Sequence, residues 1–246
     1  MRKISFFVFL IFLIAGCRLS NSIPTATVSP PQTAPSDPTQ SPTQEVPAPQ
    51  NSGASLPDFC GNPYYPVIEG SLYEYRLSSG ETIVRTFEVD ETSQKFTISV
   101  SGAGTEAKIE GQCTSEGIVI MESPGSTTTT SDEEGSSTIM TQSSSGVSLP
   151  NDLAPGKQWS QTISITSDAG ESLIQMDYQA VGLEEVTVPA GTFTALKIVQ
   201  NGYVTVFDQQ VAMEGLVGWY VKDLGLVKFE VPGAPGSELV RYALGN

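Results

Sequence analysis

Few side chains in this chain are suited to chemistry. Cysteine occurs three times, at positions 17, 60 and 113, and histidine does not occur. Histidine is the commonest general base and the commonest zinc and copper ligand, so its absence excludes Ser-His-Asp and Cys-His centres. Carboxylates are plentiful, 27 Asp and Glu against 12 Lys and Arg, a net charge of −15. Two carboxylates at glycosidase spacing would work without histidine. The neighbouring Glu184 and Glu185 are poor partners for that task, because adjacent residues on a strand point to opposite faces. Asp132, Glu133 and Glu134 offer oxygen ligands to calcium but lack the spacing of a dedicated loop, and read as a solvated turn. There is no glycine-rich loop for phosphate. An enzyme is not expected, and neither is a cofactor or a metal site. A carboxylate-only hydrolase is the residual alternative.

The first residues account for one cysteine. Arg2 and Lys3 precede an apolar run of 12 residues, Ile4 to Ala15, interrupted only by Ser5. That is too short to cross a hydrocarbon core, which needs about 20 residues, and it fits the apolar region of an export signal. The run ends in Leu13-Ile14-Ala15-Gly16-Cys17, which resembles the bacterial lipobox. The resemblance implies a signal peptide at 1–16, cleavage after Gly16 and diacylglyceryl on the Cys17 thiol. Two or three acyl chains anchor durably where one does not. Losing Arg2 and Lys3 leaves 10 basic against 27 acidic side chains, a balance of −17. Such a field repels phosphate backbones, so no nucleic-acid partner is expected. It also opposes adsorption on anionic lipid, so membrane attachment must be covalent. The expected location is the cell membrane or the outer membrane, with the remainder of the chain on the extracytoplasmic side.

Residues 17–56 connect that anchor to the rest. They are rich in Pro, Ser, Thr, Gln and Ala, as in Ser29-Pro30-Pro31-Gln32-Thr33-Ala34-Pro35. So few large apolar residues cannot offset the entropy of ordering, and a disordered tether is expected. At about 3.1 Å per residue it would reach on the order of 100 Å.

From 57 to 246 the pattern changes to alternation with a period of two. Ile83, Phe87 and Val89 share a face with Arg85; Phe96, Ile98 and Val100 alternate with Thr97 and Ser99. Ile163 and Ile165, and then Ile174, Met176 and Tyr178, continue the pattern. This is the signature of antiparallel strands with one buried face. Turn residues separate the runs at Ser78-Ser79-Gly80, Gly102-Ala103-Gly104, Ala154-Pro155-Gly156 and Asp168-Ala169-Gly170. Asn201-Gly202, between Ile198-Val199-Gln200 and Tyr203-Val204-Thr205, predicts a two-residue hairpin. About a dozen strands result, and few or no helices. Residues 123–146 read as a polar hairpin or a flexible insertion. With Cys17 lipidated, Cys60 and Cys113 remain as an even pair, which in an exported chain favours a disulfide over two free thiols.

Three motifs carry a second resemblance. They are Tyr64-Tyr65-Pro66 with Gly70-Ser71-Leu72-Tyr73-Glu74-Tyr75, Val188-Pro189-Ala190-Gly191-Thr192-Phe193 with Leu196-Lys197-Ile198, and Trp219-Tyr220-Val221-Lys222-Asp223-Leu224-Gly225-Leu226-Val227. Together they are similar to the exported β-domains of the DUF3108-like group. The resemblance implies an all-β domain, one large curved antiparallel sheet or half-barrel akin to lipoprotein carriers, and assigns no activity.

The expectation is a lipid-anchored envelope protein whose β-domain is a non-enzymatic structural or binding module, partnered by the membrane and by an envelope protein. The alternative is a carrier for an apolar ligand on the concave face, with Phe87, Tyr178, Phe207 and Trp219 facing that ligand.

Overall fold

The computed structural model describes residues 58–121, 141–167, 170–206 and 209–245. The signal segment, Cys17, the tether, the acidic turn at Asp132 to Glu134 and Phe207 lie outside the described residues.

Every regular element among the described residues is a strand. The first five are β1 (Leu72–Leu77), β2 (Thr82–Asp90), β3 (Lys95–Gly102), β4 (Thr105–Cys113) and β5 (Gly117–Met121). Then come β6 (Thr141–Gly146), β7 (Leu149–Pro150), β8 (Gln158–Ser167) and β9 (Gly170–Val188). The last four are β10 (Gly191–Val206), β11 (Gln209–Val221), β12 (Gly225–Val231) and β13 (Ala234–Ala243). All thirteen belong to one sheet, in the order β6-β8-β9-β10-β11-β12-β13-β1-β2-β3-β4-β5-β7. Every pairing is antiparallel, so the expected architecture is the one found. The sheet grows outward as a meander on each side of the central pair β1 and β13.

The ladder does not close into a barrel, yet one short piece of chain carries both of its edges. Residues 141–146 pair with β8, while Leu149 and Pro150 pair with β5. Ser148 spans the seam: its Oγ accepts from Ile120 N at 2.8 Å and donates to Gln161 Oε1 at 3.0 Å. Gln161 is buried, and it donates to Ser144 Oγ at 3.0 Å and accepts from Tyr178 Oη at 3.2 Å. A buried amide needs such partners, since an unmet polar group costs about 1–3 kcal/mol.

Alternation places the core as read. Phe96, Ile98, Ile118, Leu196, Ile198 and Leu239 are fully buried. Phe87 meets Tyr73 edge-on at 5.7 Å and stacks on Phe96 at 6.2 Å. Arg85 shares that side and lies 5.2 Å from the Tyr75 ring. Gly111 makes room for the Phe96 ring: a Cβ there would fall 2.0 Å from Phe96 Cζ.

One turn expectation fails. Asn201 and Gly202 do not turn the chain; β10 runs through them to Val206. Both neighbouring strands stay paired there, with Gly202 opposite Met176 and Met213. The sequence signal has a different cause. A Cβ on Gly202 would lie 2.0 Å from Gln175 O, so glycine is required for close approach. Asn201 Oδ1 accepts from Gly215 N at 2.8 Å, opposite the bulge in β11.

Cys60 and Cys113 form a disulfide with a Cα–Cα distance of 5.1 Å, which ties the segment before β1 to the end of β4. Nearby, Asp58 Oδ1 accepts from Cys60 N at 3.1 Å and Val67 N at 3.0 Å. Burial pushes the Asp58 carboxyl above its ordinary value, against the lowering effect of those amides. The folded chain therefore holds this proton more tightly than the unfolded chain. The group's stabilising contribution is full below about pH 4 and is lost as pH rises through the raised folded value. Asp58→Asn keeps an acceptor and removes the titration. We expect the variant to exceed the parent in urea midpoint at pH 7 and to match it near pH 3. Equal midpoints at pH 7 would contradict this account.

Candidate functional site

The motif residues from two distant segments meet on the sheet. Lys197 on β10 is opposite Trp219 on β11, and Trp219 is opposite Lys228 on β12. The row continues through Glu238 on β13 to Arg76 on β1. Register partners share a side, so five strands contribute to one line of side chains. Lys197 Nζ and Lys228 Nζ lie 5.4 and 5.2 Å from the Trp219 ring centroid. Trp219 Nε1 donates to Glu184 Oε1 at 2.6 Å, and Lys197 Nζ is 3.4 Å from the same oxygen. The tryptophan hydrogen bond, with the Lys197 charge behind it, holds the Glu184 carboxyl below its ordinary value against the effect of burial. Further along, Lys228 pairs with Glu230 at 2.8 Å and Arg76 with Glu238 at 3.4 Å. Such partly exposed pairs contribute roughly 0–1 kcal/mol each, so the row mainly covers Trp219 and aligns strands.

Two open grooves accompany the row. One, of about 580 Å³, lies between the β1–β2 and β12–β13 turns and is lined by Arg76, Ser78, Lys228, Glu230 and Glu238. The other, of about 400 Å³, runs across β8, β9 and β10, with Gln158, Ser160, Asp177 and Asn201 beside Trp159 and Tyr178. Both are rich in charged or amide side chains.

The aromatic residues expected to face a ligand are dispersed. Phe87 is buried in the core among Tyr65, Tyr73 and Phe96. Tyr178 stacks on Trp159 at 5.1 Å and borders the smaller groove. Trp219 points to the other side of its ladder from Tyr220, the register partner of core residue Leu196. Phe87, Tyr178 and Trp219 share no described groove. Sequence reading missed Lys197 and Lys228 as partners of Trp219. Lys197 stood in the quoted motif, but its register opposite Trp219 depends on the run of β10 past Asn201.

A single-sheet β-protein, without helices among the described residues, with a filled core and a polar row across its centre is the class that this geometry defines. The sequence profile of the DUF3108-like family matches residues 75–232, more than half of the chain, and the chain belongs to that family. No curated protein sequence matches it. A crystal structure of an exported protein with a YmcC-like fold from Bacteroides fragilis NCTC 9343 is similar at 15% identity and a TM-score of 0.49, covering 73% of this chain and 98% of its own. A lipoprotein structure from Parabacteroides distasonis ATCC 8503 is similar at 17% identity and a TM-score of 0.47, covering 74% and 99%. Both of those descriptions are inferred assignments for the proteins concerned.

Proposed function

We propose that this chain is a lipid-anchored cell-envelope protein, held through Cys17, whose β-domain is a non-enzymatic binding module on the extracytoplasmic side. The observation that carries the second part is the filled interior. Phe87, Phe96, Ile98, Leu196 and Leu239 pack the middle of the sheet, so the domain offers surfaces and edges for contact. The anchor rests on the Leu13 to Cys17 sequence and on the acidic balance that disfavours adsorption. Metabolic labelling with palmitate tests it. The parent chain should take label and fractionate with membranes, and Cys17→Ser should lose both. Label retained by Cys17→Ser would overturn the anchor. Turnover that follows the purified chain through a panel of hydrolase substrates, at constant specific activity, would overturn the binding-module reading.

A second reading, a carrier for an apolar ligand, has one specific observation in its favour. Ile163, Ile174, Val204 and Val211 form a cross-strand row on β8 to β11, and Val211 is 41% exposed. Native mass spectrometry of freshly purified protein would show bound lipid under this reading, and a bare mass would count against it.

A further inference from the structure

Strand β9 is longer than its neighbour on one side. β8 pairs with it only from Gly170 to Gln179. The turn before β8 extends the contact by one residue, with Gly156 N donating to Ala180 O at 2.7 Å and Ala180 N to Lys157 O at 2.9 Å. From Val181 to Val188, β9 is paired with β10 alone, and its other edge has no backbone hydrogen bond to any described residue. The Val181 end of that edge is accessible: Val181 is 52% exposed, Leu183 is 56% exposed, and a Cβ on Gly182 would meet nothing within 4 Å, while the side chains of Val186 and Val188 turn into the core. An eight-residue edge with outward backbone donors and acceptors and apolar side chains is a template for strand addition.

The charges on this edge narrow what can add to it. Glu184 and Glu185 sit at its middle, and both are exposed. A second copy of the chain laid antiparallel on the same segment brings Glu184 opposite Glu185 twice; laid parallel in register, it brings each opposite itself. Like charges directly opposite are destabilising, and both copies carry −15. The same carboxylates favour a strand that presents cations at these positions.

We propose that the free edge of β9, Val181 to Val188, docks an extended basic segment of a partner protein as an added strand. This deepens the binding-module reading and rests on it. Main-chain hydrogen bonds supply the attachment, apolar side chains of the partner cover Val181 and Leu183, and its cations meet Glu184 and Glu185.

A ten-residue peptide of lysine pairs alternating with valine pairs, which places both residue types on each face of the added strand, is the probe, added to the full chain in detergent micelles. Hydrogen exchange should show protection confined to the stretch around 181–188. A control peptide N-methylated at every backbone amide keeps the charge but cannot donate to the ladder from either of its edges, and should bind at least about tenfold more weakly. Glu185→Lys leaves the Trp219–Glu184 contact in place and should weaken the unmethylated peptide by about threefold or more. Equal binding of the two peptides would reduce the effect to bulk charge attraction and overturn the proposal, as would absence of protection at 181–188. Protection at another segment would overturn edge docking while leaving the binding-module reading standing.

Discussion

The Cys60→Ser, Cys113→Ser double variant is expected to be less stable than the oxidised parent by about 4 kcal/mol. The cysteines are separated by 53 positions, and a loop of that length gives this figure in the chain-entropy account of cross-linking. The loss should not be confined to the segment before β1. Asn62 follows Cys60 by two positions and is fully buried. Its Nδ2 donates to Leu149 O at 3.3 Å and Pro150 O at 3.1 Å, so it fastens β7 to the segment that the disulfide holds. β7 meets β5 through only two residue pairs, Gly117 with Pro150 and Ile118 with Leu149. Asn62→Ala in the oxidised chain should therefore cost about 1–3 kcal/mol, by removing the buried amide's hydrogen bonds to β7. Combined with the cysteine variant it should cost less than the sum, because both act on the same attachment. Urea midpoints for the four proteins check this. An unchanged midpoint without the disulfide would sink the account, and strict additivity would separate Asn62 from it.

Phe96→Ala is expected to cost about 3–5 kcal/mol, at the upper end for a core truncation. The ring is 1% exposed, stacks on Phe87, and lies over Gly111 in the facing strand. Gly111→Ala should itself cost about 1–3 kcal/mol, since its Cβ would enter the buried Phe96 ring. The informative measurement is the pair. With Phe96 truncated, the Gly111→Ala methyl enters vacated space, so its cost should fall close to zero or reverse sign. A double-mutant cycle with no coupling would show that Gly111 is required for some cause other than this ring.

What could be read in the sequence follows from how local each signal is. The alternation of Phe96, Ile98 and Val100 was legible because period-two burial is written within one strand. The turns at Ser78 to Gly80 and at Gly102 to Gly104 were legible for the same reason: Gly80, Gly102 and Gly104 have positive φ angles. Asn201-Gly202 misled because the same dipeptide also serves where a neighbouring backbone approaches closely, and only the position of Gln175 O distinguishes the two. The central pairing of β1 with β13 was not legible, since Leu72 and Ala243 are register partners with no local trace of each other. The candidate site divides in the same way. Lys197 and Trp219 each stood out in a motif, but their stacking depends on cross-strand register. The free edge of β9 depends on a difference in length between two strands, which no single segment encodes.

The central pairing also bears on the order in which the chain becomes available. Of the described strands, β1 is synthesised first and β13 last. While the chain grows, β1 through β5 can assemble as a meander, but the open flank of β1 waits for residues 234–243. The flank of β12 waits for the same ten residues. Pairings of such long sequence separation close slowly, and unpaired flanks are where growing β-proteins associate wrongly. A chain halted before Ala234 would hold two half-sheets, each exposing the edge that the other half of the molecule reaches only through β13.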